Sequence, residues 1–241
     1  MIELNKIEDS SREKEPKQKT KKILKTVPTF HVKLTEEQKR AKAIALENQV
    51  TIFTGRAGTS KTLLACNIAC HLLQTGAVSK IVVTRPMVDV GKTMGFLPGV
   101  AMSFTEGKMQ PYMAPIIQAL YRLKDKVSID TWIKEEKITI VPIQFVRGLN
   151  FEDCVVIIDE AENLTAHELK ALTTRICKDA YMLFTSDIAQ IDLVDKHQSA
   201  GYFFQSIMKL EGVGSFELTE NFRSKLALEI MDIIDEQLKE K

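Results

Sequence analysis

The stretch from Val50 to Thr62, VTIFTGRAGTSKT, constrains the fold more than any other part of the chain. Val50, Ile52 and Phe53 read as a short apolar strand, Gly55 to Ser60 as a glycine-bearing loop, and KTLLACNIACHLL from Lys61 onward as a helix that is apolar nearly all round. A strand that passes through such a loop into a helix makes a phosphate cradle. Backbone N–H groups converge on one point, the positive end of the helix faces it, and a lysine beside a hydroxyl completes it. Gly55-x-x-x-x-Ser60-Lys61-Thr62 has the spacing of the Walker A pattern G-x-x-x-x-G-K-[ST], with serine in place of the second glycine. If the backbone at Ser60 takes a positive φ, its Cβ costs roughly 1–2 kcal/mol. At negative φ it costs nothing. The plainer reading is a strand–turn–helix junction that binds no ligand.

A length of 241 residues fits one α/β domain with a tail, and 44% hydrophobic with 27% charged residues is ordinary for a globular chain. The formal net charge is +1, so only a local patch, and no global field, would attract nucleic acid. The four cysteines, Cys66, Cys70, Cys154 and Cys177, lack C-x-x-C spacing and read as buried thiols of a reducing compartment. The N-terminus is charged without an apolar core segment, and no apolar run approaches the roughly twenty residues of a membrane span. A cytoplasmic protein without membrane contact is expected.

Residues 1–28 are polar, and Ser10 to Thr26 is rich in lysine, so a flexible basic arm is expected ahead of a folded domain over 29–241. The arm is either a solvated tail or an electrostatic contact to nucleic acid. Thr35-Glu36-Glu37-Gln38 predicts a capping box that opens a helix running through Ala45. Gln38 then serves that cap, or reads an adenine edge. Further strands are predicted at Lys80–Thr84, Lys137–Pro142, Val155–Ile158, Ala180–Thr185 and Ser215–Thr219, with helices at Met109–Leu123, after Thr165, at Gly201–Leu210 and at Lys225–Leu238. The four β-branched residues Val155 to Ile158 describe a strand buried on both faces. Strands alternating with helices predict an α/β fold, a mostly parallel sheet covered on both faces, whose ligands bind beyond the carboxyl ends of the strands. Gly55, Arg85, Asp159 and Asp187 all fall at those ends.

Phosphoryl transfer needs positioning and charge neutralisation more than covalent chemistry. The loop Gly55, Arg56, Ala57, Gly58, Thr59, Ser60 would cradle the phosphates of ATP, with Lys61 on the β- and γ-phosphates and the Thr62 hydroxyl on Mg²⁺. Asp159, at the tip of an uncharged strand, would hold the ion, and Glu160 would activate water, which is the Walker B arrangement. An aspartate there can also simply start a turn. Gln190 is placed to detect the γ-phosphate, Asp187 is either part of that site or an ordinary turn residue, and Arg85 meets phosphate, nucleic acid or an ion-pair partner. Arg223, in Asn221-Phe222-Arg223-Ser224, reads as an arginine finger acting in its own chain or on a neighbour, or as a helix-start ion pair.

GRAGTSKT, TRPMVDVGKTMGFLPG, the helix around Gln110-Pro111-Tyr112, FVRGLNFEDCVVIIDEAEN and TSDIAQIDL together resemble the PhoH-like family of P-loop ATPases, which is similar to the core of superfamily 1 helicases. The resemblance runs from about Thr35 to the C-terminus. It implies a single RecA-like core, ATP and Mg²⁺ as cofactors, hydrolysis, an RNA or single-stranded nucleic acid partner, and ring-like homo-oligomers such as hexamers. Ser60 and Ser186 stand where the family has glycine, and both bear on turnover more than on binding. ELTENFRS departs from the family after ELTE. The same residues also admit three other functions: a nucleotide-gated assembly module that hardly hydrolyses ATP, a small-molecule phosphotransferase, and a nuclease built on Asp187, Asp192 and Asp195.

Overall fold

A computed structural model describes residues 30–86, 110–191 and 196–239. The basic arm (1–28), the glycine-rich loop Gly91–Gly99, Asp192 and Asp195 lie outside the described residues.

Six strands form one sheet: β1 (Val50–Thr54), β2 (Lys80–Thr84), β3 (Ile138–Ile140), β4 (Cys154–Ile158), β5 (Tyr181–Ser186) and β6 (Val213–Glu217). Their order is β3-β2-β4-β5-β1-β6, and every pairing is parallel. Parallel strands need crossovers, and α2 (Lys61–Thr75), α3 (Gln110–Leu123), α4 (Lys126–Lys134), α5 (Ala166–Thr173) and α6 (Ala200–Ile207) lie in them, while α1 (Glu36–Glu47) precedes β1 and α7 (Lys225–Lys239) follows β6. Alternate residues of each strand feed two cores. Phe53, Ile81, Val83, Val155, Ile157 and Leu183 pack with Leu64, Ile68, Leu120 and Ile129 on one face. Ile52, Val156, Ile158, Met182 and Phe184 pack with Leu172 and Phe204 on the other. This is the expected doubly covered α/β fold, and all five residues of β4 are buried.

Several boundaries differ from expectation. β3 is the shorter Ile138–Ile140 because Pro142 cannot donate to the sheet and opens a 3₁₀ turn over Ile143–Gly148. β6 begins at Val213, earlier than expected, because Gly214 fits under Ile44 and Thr51, where a Cβ would come within 2.8 Å and 3.0 Å. α4 was not anticipated. Asp125 caps it by accepting from the Ser128 N–H at 2.8 Å, a signal masked by the preceding helix. The four cysteines are free thiols; Cys66, Cys70 and Cys154 are buried as expected, whereas Cys177 is only half-buried.

The Thr35–Gln38 capping box is present, with Thr35 N–H donating to Gln38 Oε1 at 3.1 Å and Gln38 N–H to Thr35 Oγ1 at 3.3 Å. Beside it the buried Glu37 carboxylate reaches across to the end of β6. It accepts from the Thr219 N–H (2.8 Å), the Thr219 hydroxyl (2.7 Å) and the Glu220 N–H (3.1 Å). Burial works against its charge, but these bonds prevail and hold its carboxyl below the ordinary value. Glu37→Ala is expected to lower the unfolding free energy by about 1–3 kcal/mol, because it strands two backbone donors. Urea titration checks this, and an unshifted midpoint would show that the clamp contributes nothing.

Candidate functional site

At the carboxyl edge of the sheet, the turn from β1 into α2 is fixed by two glycines in the left-handed half of backbone space. Gly55 has φ +145° and Gly58 φ +91°. A Cβ on Gly55 would lie 2.4 Å from the Leu218 carbonyl, and one on Gly58 would lie 2.6 Å from Asn221 Oδ1. The segment after β6 therefore lies directly on the loop. Asn221 Nδ2 donates to the Ala57 carbonyl at 2.8 Å, and Phe222 N–H donates to the Gly58 carbonyl at 3.0 Å. Arg223 packs in the same place, its Cγ and Nε 2.8 Å and 2.9 Å from where a Gly58 Cβ would sit. Arg56 is tied to α7 by an ion pair with Asp232 at 2.8 Å. Thr59 turns inward, its hydroxyl donating to the Arg56 carbonyl at 2.9 Å.

Ser60 takes φ +64° and ψ +29°, so of its two sequence readings the strained one holds. It precedes α2 without a side-chain cap bond, which leaves the helix's first N–H groups unused by that hydroxyl. The Lys61 ammonium donates to the Gly55 carbonyl at 2.5 Å and to the Arg56 carbonyl at 3.0 Å. Burial pulls its pKa below the ordinary lysine value, while Asp187, Glu162, Asp159 and Glu160 oppose the shift.

Asp159, at the end of β4 and 2% exposed, accepts two hydroxyls on one oxygen, Oδ1: Thr62 of α2 at 2.7 Å and Thr185 of β5 at 2.7 Å. The Thr185 hydroxyl also accepts the Glu160 N–H at 3.2 Å. Glu160 has φ +51°, a strained backbone that turns its carboxylate away from the strand direction. Arg85, at the end of β2, forms an ion pair with Glu160, and its guanidinium is 3.9 Å from Asp159. The ion pair is therefore made with the acids of the candidate site, by a side chain that is 16% exposed, and is not an open-surface pair. Gln190 closes a 3₁₀ turn, its N–H donating to the Asp187 carbonyl at 2.8 Å. Asp187 is buried at the base of that turn. Gln38 lies in its capping box with its side chain buried.

Lys61, Thr62, Asp159 and Glu160 are thus drawn to one edge, with the Asn221–Arg223 segment over the loop. The hydroxyl and carboxylate oxygens of Thr62 and Asp159 are hard donors of the kind Mg²⁺ takes together with phosphate oxygens. Among the described residues no group of three or more His, Cys, Asp or Glu forms a protein-only metal cage.

Residues 31–235 match the sequence profile of the family described as PhoH-like protein. The chain belongs to the PhoH-like family. It is 33% identical over 206 residues to the PhoH-like protein of Bacillus subtilis strain 168, covering 84% of this chain and 63% of that one. It is 34% identical over 201 residues to the PhoH-like protein of Mycobacterium tuberculosis strain H37Rv, covering 82% and 56%. The chain therefore spans less than two thirds of these relatives' own length. The UvsW helicase of bacteriophage T4 is similar in fold, with a TM-score of 0.50 at 12% identity over 77% of this chain and 60% of that one.

Two residues of this PhoH-like site escaped sequence reasoning. Thr185 was legible only as a polar residue ending a buried strand. Glu162 stood in the run FVRGLNFEDCVVIIDEAEN without a role of its own, yet it is 3% exposed, with Oε2 lacking a hydrogen-bond partner. Burial pushes its carboxyl up to about 7; the backbone N–H groups of Glu162 and Asp187 and the Lys61 charge oppose the shift, and Glu160 adds to it. The fold holds this proton where the unfolded chain, with an ordinary value of 4.5, has released it. The native state thus binds more protons between those values, and stability falls as pH rises from about 4.5 through about 7. Glu162→Gln is expected to flatten that slope, read as urea midpoints across the same pH range. Parallel pH profiles for the two proteins would contradict it.

Proposed function

We propose that this PhoH-like chain binds ATP with Mg²⁺ and hydrolyses it in response to RNA or single-stranded nucleic acid. The observation that carries the reading is the 2.7 Å bond between the Thr62 hydroxyl and Asp159. It joins the phosphate loop to the acid pair. Mg²⁺ would neutralise phosphate charge there and would be held by Thr62 and Asp159. Lys61 exchanges the carbonyls of Gly55 and Arg56 for β- and γ-phosphate oxygens, which restores full charge to a lysine that burial disfavours. Backbone N–H groups of Arg56, Ala57, Gly58, Thr59 and Ser60 orient the triphosphate.

Glu160 accepts the proton of the attacking water, and Arg85 positions that carboxylate through their ion pair. Gln190 senses the γ-phosphate, and Gln38 takes the adenine edge once its cap bond is shared. Arg223, packed on Gly58 of its own chain, supplies a cation in cis. The basic arm and the α/β core it precedes support the nucleic-acid coupling. A cytoplasmic, ring-forming homo-oligomer is part of the proposal. It is supported by the outward face of α7, where Leu226, Ile230, Ile233 and Ile234 are all exposed. Among the described residues no helix is long and apolar enough to cross a membrane.

One observation favours a second reading, the nucleotide-gated assembly module. Ser60 holds a left-handed backbone where glycine would be unstrained, and that strain sits at the catalytic edge.

The test is phosphate release from ATP with and without single-stranded RNA. Wild type is expected to turn over and to be stimulated. Glu160→Gln should lower the rate by about 10²–10⁴-fold, and Lys61→Ala should weaken nucleotide binding by about ten- to hundredfold. A rate that RNA and DNA leave unchanged would contradict the coupling. Negligible wild-type turnover rescued by Ser60→Gly would select the second reading.

A further inference from the structure

Helix α6 carries aromatic residues on both its faces. Phe204 is buried and tilts against Phe184 in the core, with ring centroids 5.5 Å apart. Its neighbours Tyr202 and Phe203 point the other way, 56% and 37% exposed. The outward rings form a chain: His197 meets Tyr202 edge-on at 5.0 Å and 77°, and Tyr202 meets Phe203 at 5.5 Å and 87°. Large rings held in water forgo the stabilisation that burial would bring. Such a cluster calls for an occupant.

Three observations say which. Between Asp195 and Glu211, the stretch that carries the rings contains Lys196, His197 and Lys209 and no carboxylate, so the charges within it are cations that a strand's phosphates would pair with. The rings stand in succession along the surface, and every nucleobase has a π-face to lay on such rings whatever its sequence. The cluster also sits at the start of the helix that follows β5, and in a parallel sheet that start lies at the carboxyl edge, the edge that carries the phosphate loop.

The cluster is tied by hydrogen bonds to Glu162, just beyond the acid pair. Ser199 caps α6, its hydroxyl accepting the Gly201 N–H at 3.0 Å and donating to the Glu162 carbonyl at 2.5 Å. Ala200 N–H donates to the Leu164 carbonyl at 2.8 Å. Glu162 in turn takes the Asp187 N–H, at the base of the turn that ends in Gln190.

We propose that His197, Tyr202 and Phe203 form a stacking platform for the bases of a single strand, connected through Ser199 and Glu162 to the nucleotide site. The proposal rests on the nucleic-acid-coupled reading above and assigns that reading a contact surface. A strand laid on the rings would bias the position of Ser199, and through it the turn carrying Gln190.

The experiment is fluorescence anisotropy with labelled oligo(U) and oligo(dT) on the full chain, beside basal ATP hydrolysis and size-exclusion chromatography. Tyr202→Ala/Phe203→Ala is expected to weaken binding by roughly ten- to hundredfold while basal hydrolysis and the melting temperature stay unchanged. Tyr202→Phe, which keeps the ring, should bind like wild type. Wild-type affinity in the double variant would overturn the platform while leaving the nucleic-acid reading standing. If the wild-type chain binds neither oligonucleotide, both fall. A double variant that keeps its oligonucleotide affinity but dissociates a wild-type oligomer would make this face a contact between copies, and that also overturns the proposal.

Discussion

A buried carboxylate must be compensated, and Asp159 is compensated by two hydroxyls from opposite directions. Thr62 reaches it from the helix after the phosphate loop and Thr185 from the neighbouring strand, both at 2.7 Å. These bonds join β4, β5 and α2 at one point. Thr185 extends the arrangement by accepting the backbone N–H of Glu160, so the second acid is held by the same hydroxyl that holds the first. Loss of either threonine would remove one of the two hydroxyls that hold this buried charge. The loop, the acid pair and the edge of the sheet therefore stand or fall together.

A second constraint comes from the opposite side of the loop. Gly55 and Gly58 have no room for a Cβ because the segment after β6 lies on them, and Glu37 of α1 ties the start of that segment in place through Thr219 and Glu220. The phosphate loop is thus gripped between the acid pair and the Leu218–Arg223 segment. Strain gathers in the same region: Ser60, which opens α2, and Glu160, which follows Asp159, are both left-handed. Strain of this kind persists only where the surroundings over-determine it, as the paired Asp159 and the packed Asn221 do here.

Most of the fold was legible because it rests on local patterns. Runs such as Val155 to Ile158 suit a strand covered on both faces, as in a parallel sheet, and the capping boxes at Thr35 and Thr165 formed as their residue types require. The Walker residues were legible because their spacing encodes a loop. Residues whose importance depends on what the fold brings beside them were not. Glu37 reads as a helix-start acid until β6 is placed against it. Arg85 was readable as a cation at a strand end, but its partners are set by the sheet order that puts β2 next to β4. Glu162 is two residues beyond Glu160 in sequence, yet its burial depends on α6 closing over it. Ser60 shows the complementary limit, since residue type alone allows either sign of φ and only the packed loop selects one.

The account depends on a metal–nucleotide complex resting between Thr62 and Asp159. The most direct measurement is the affinity of a non-hydrolysable ATP analogue with Mg²⁺ and with excess chelator, for wild type and Asp159→Asn. Asparagine keeps the size of the side chain and removes its charge. Mg²⁺ is predicted to tighten binding to wild type and to give little or no gain in the variant. An equal gain from Mg²⁺ in both proteins would place the ion elsewhere and contradict the account.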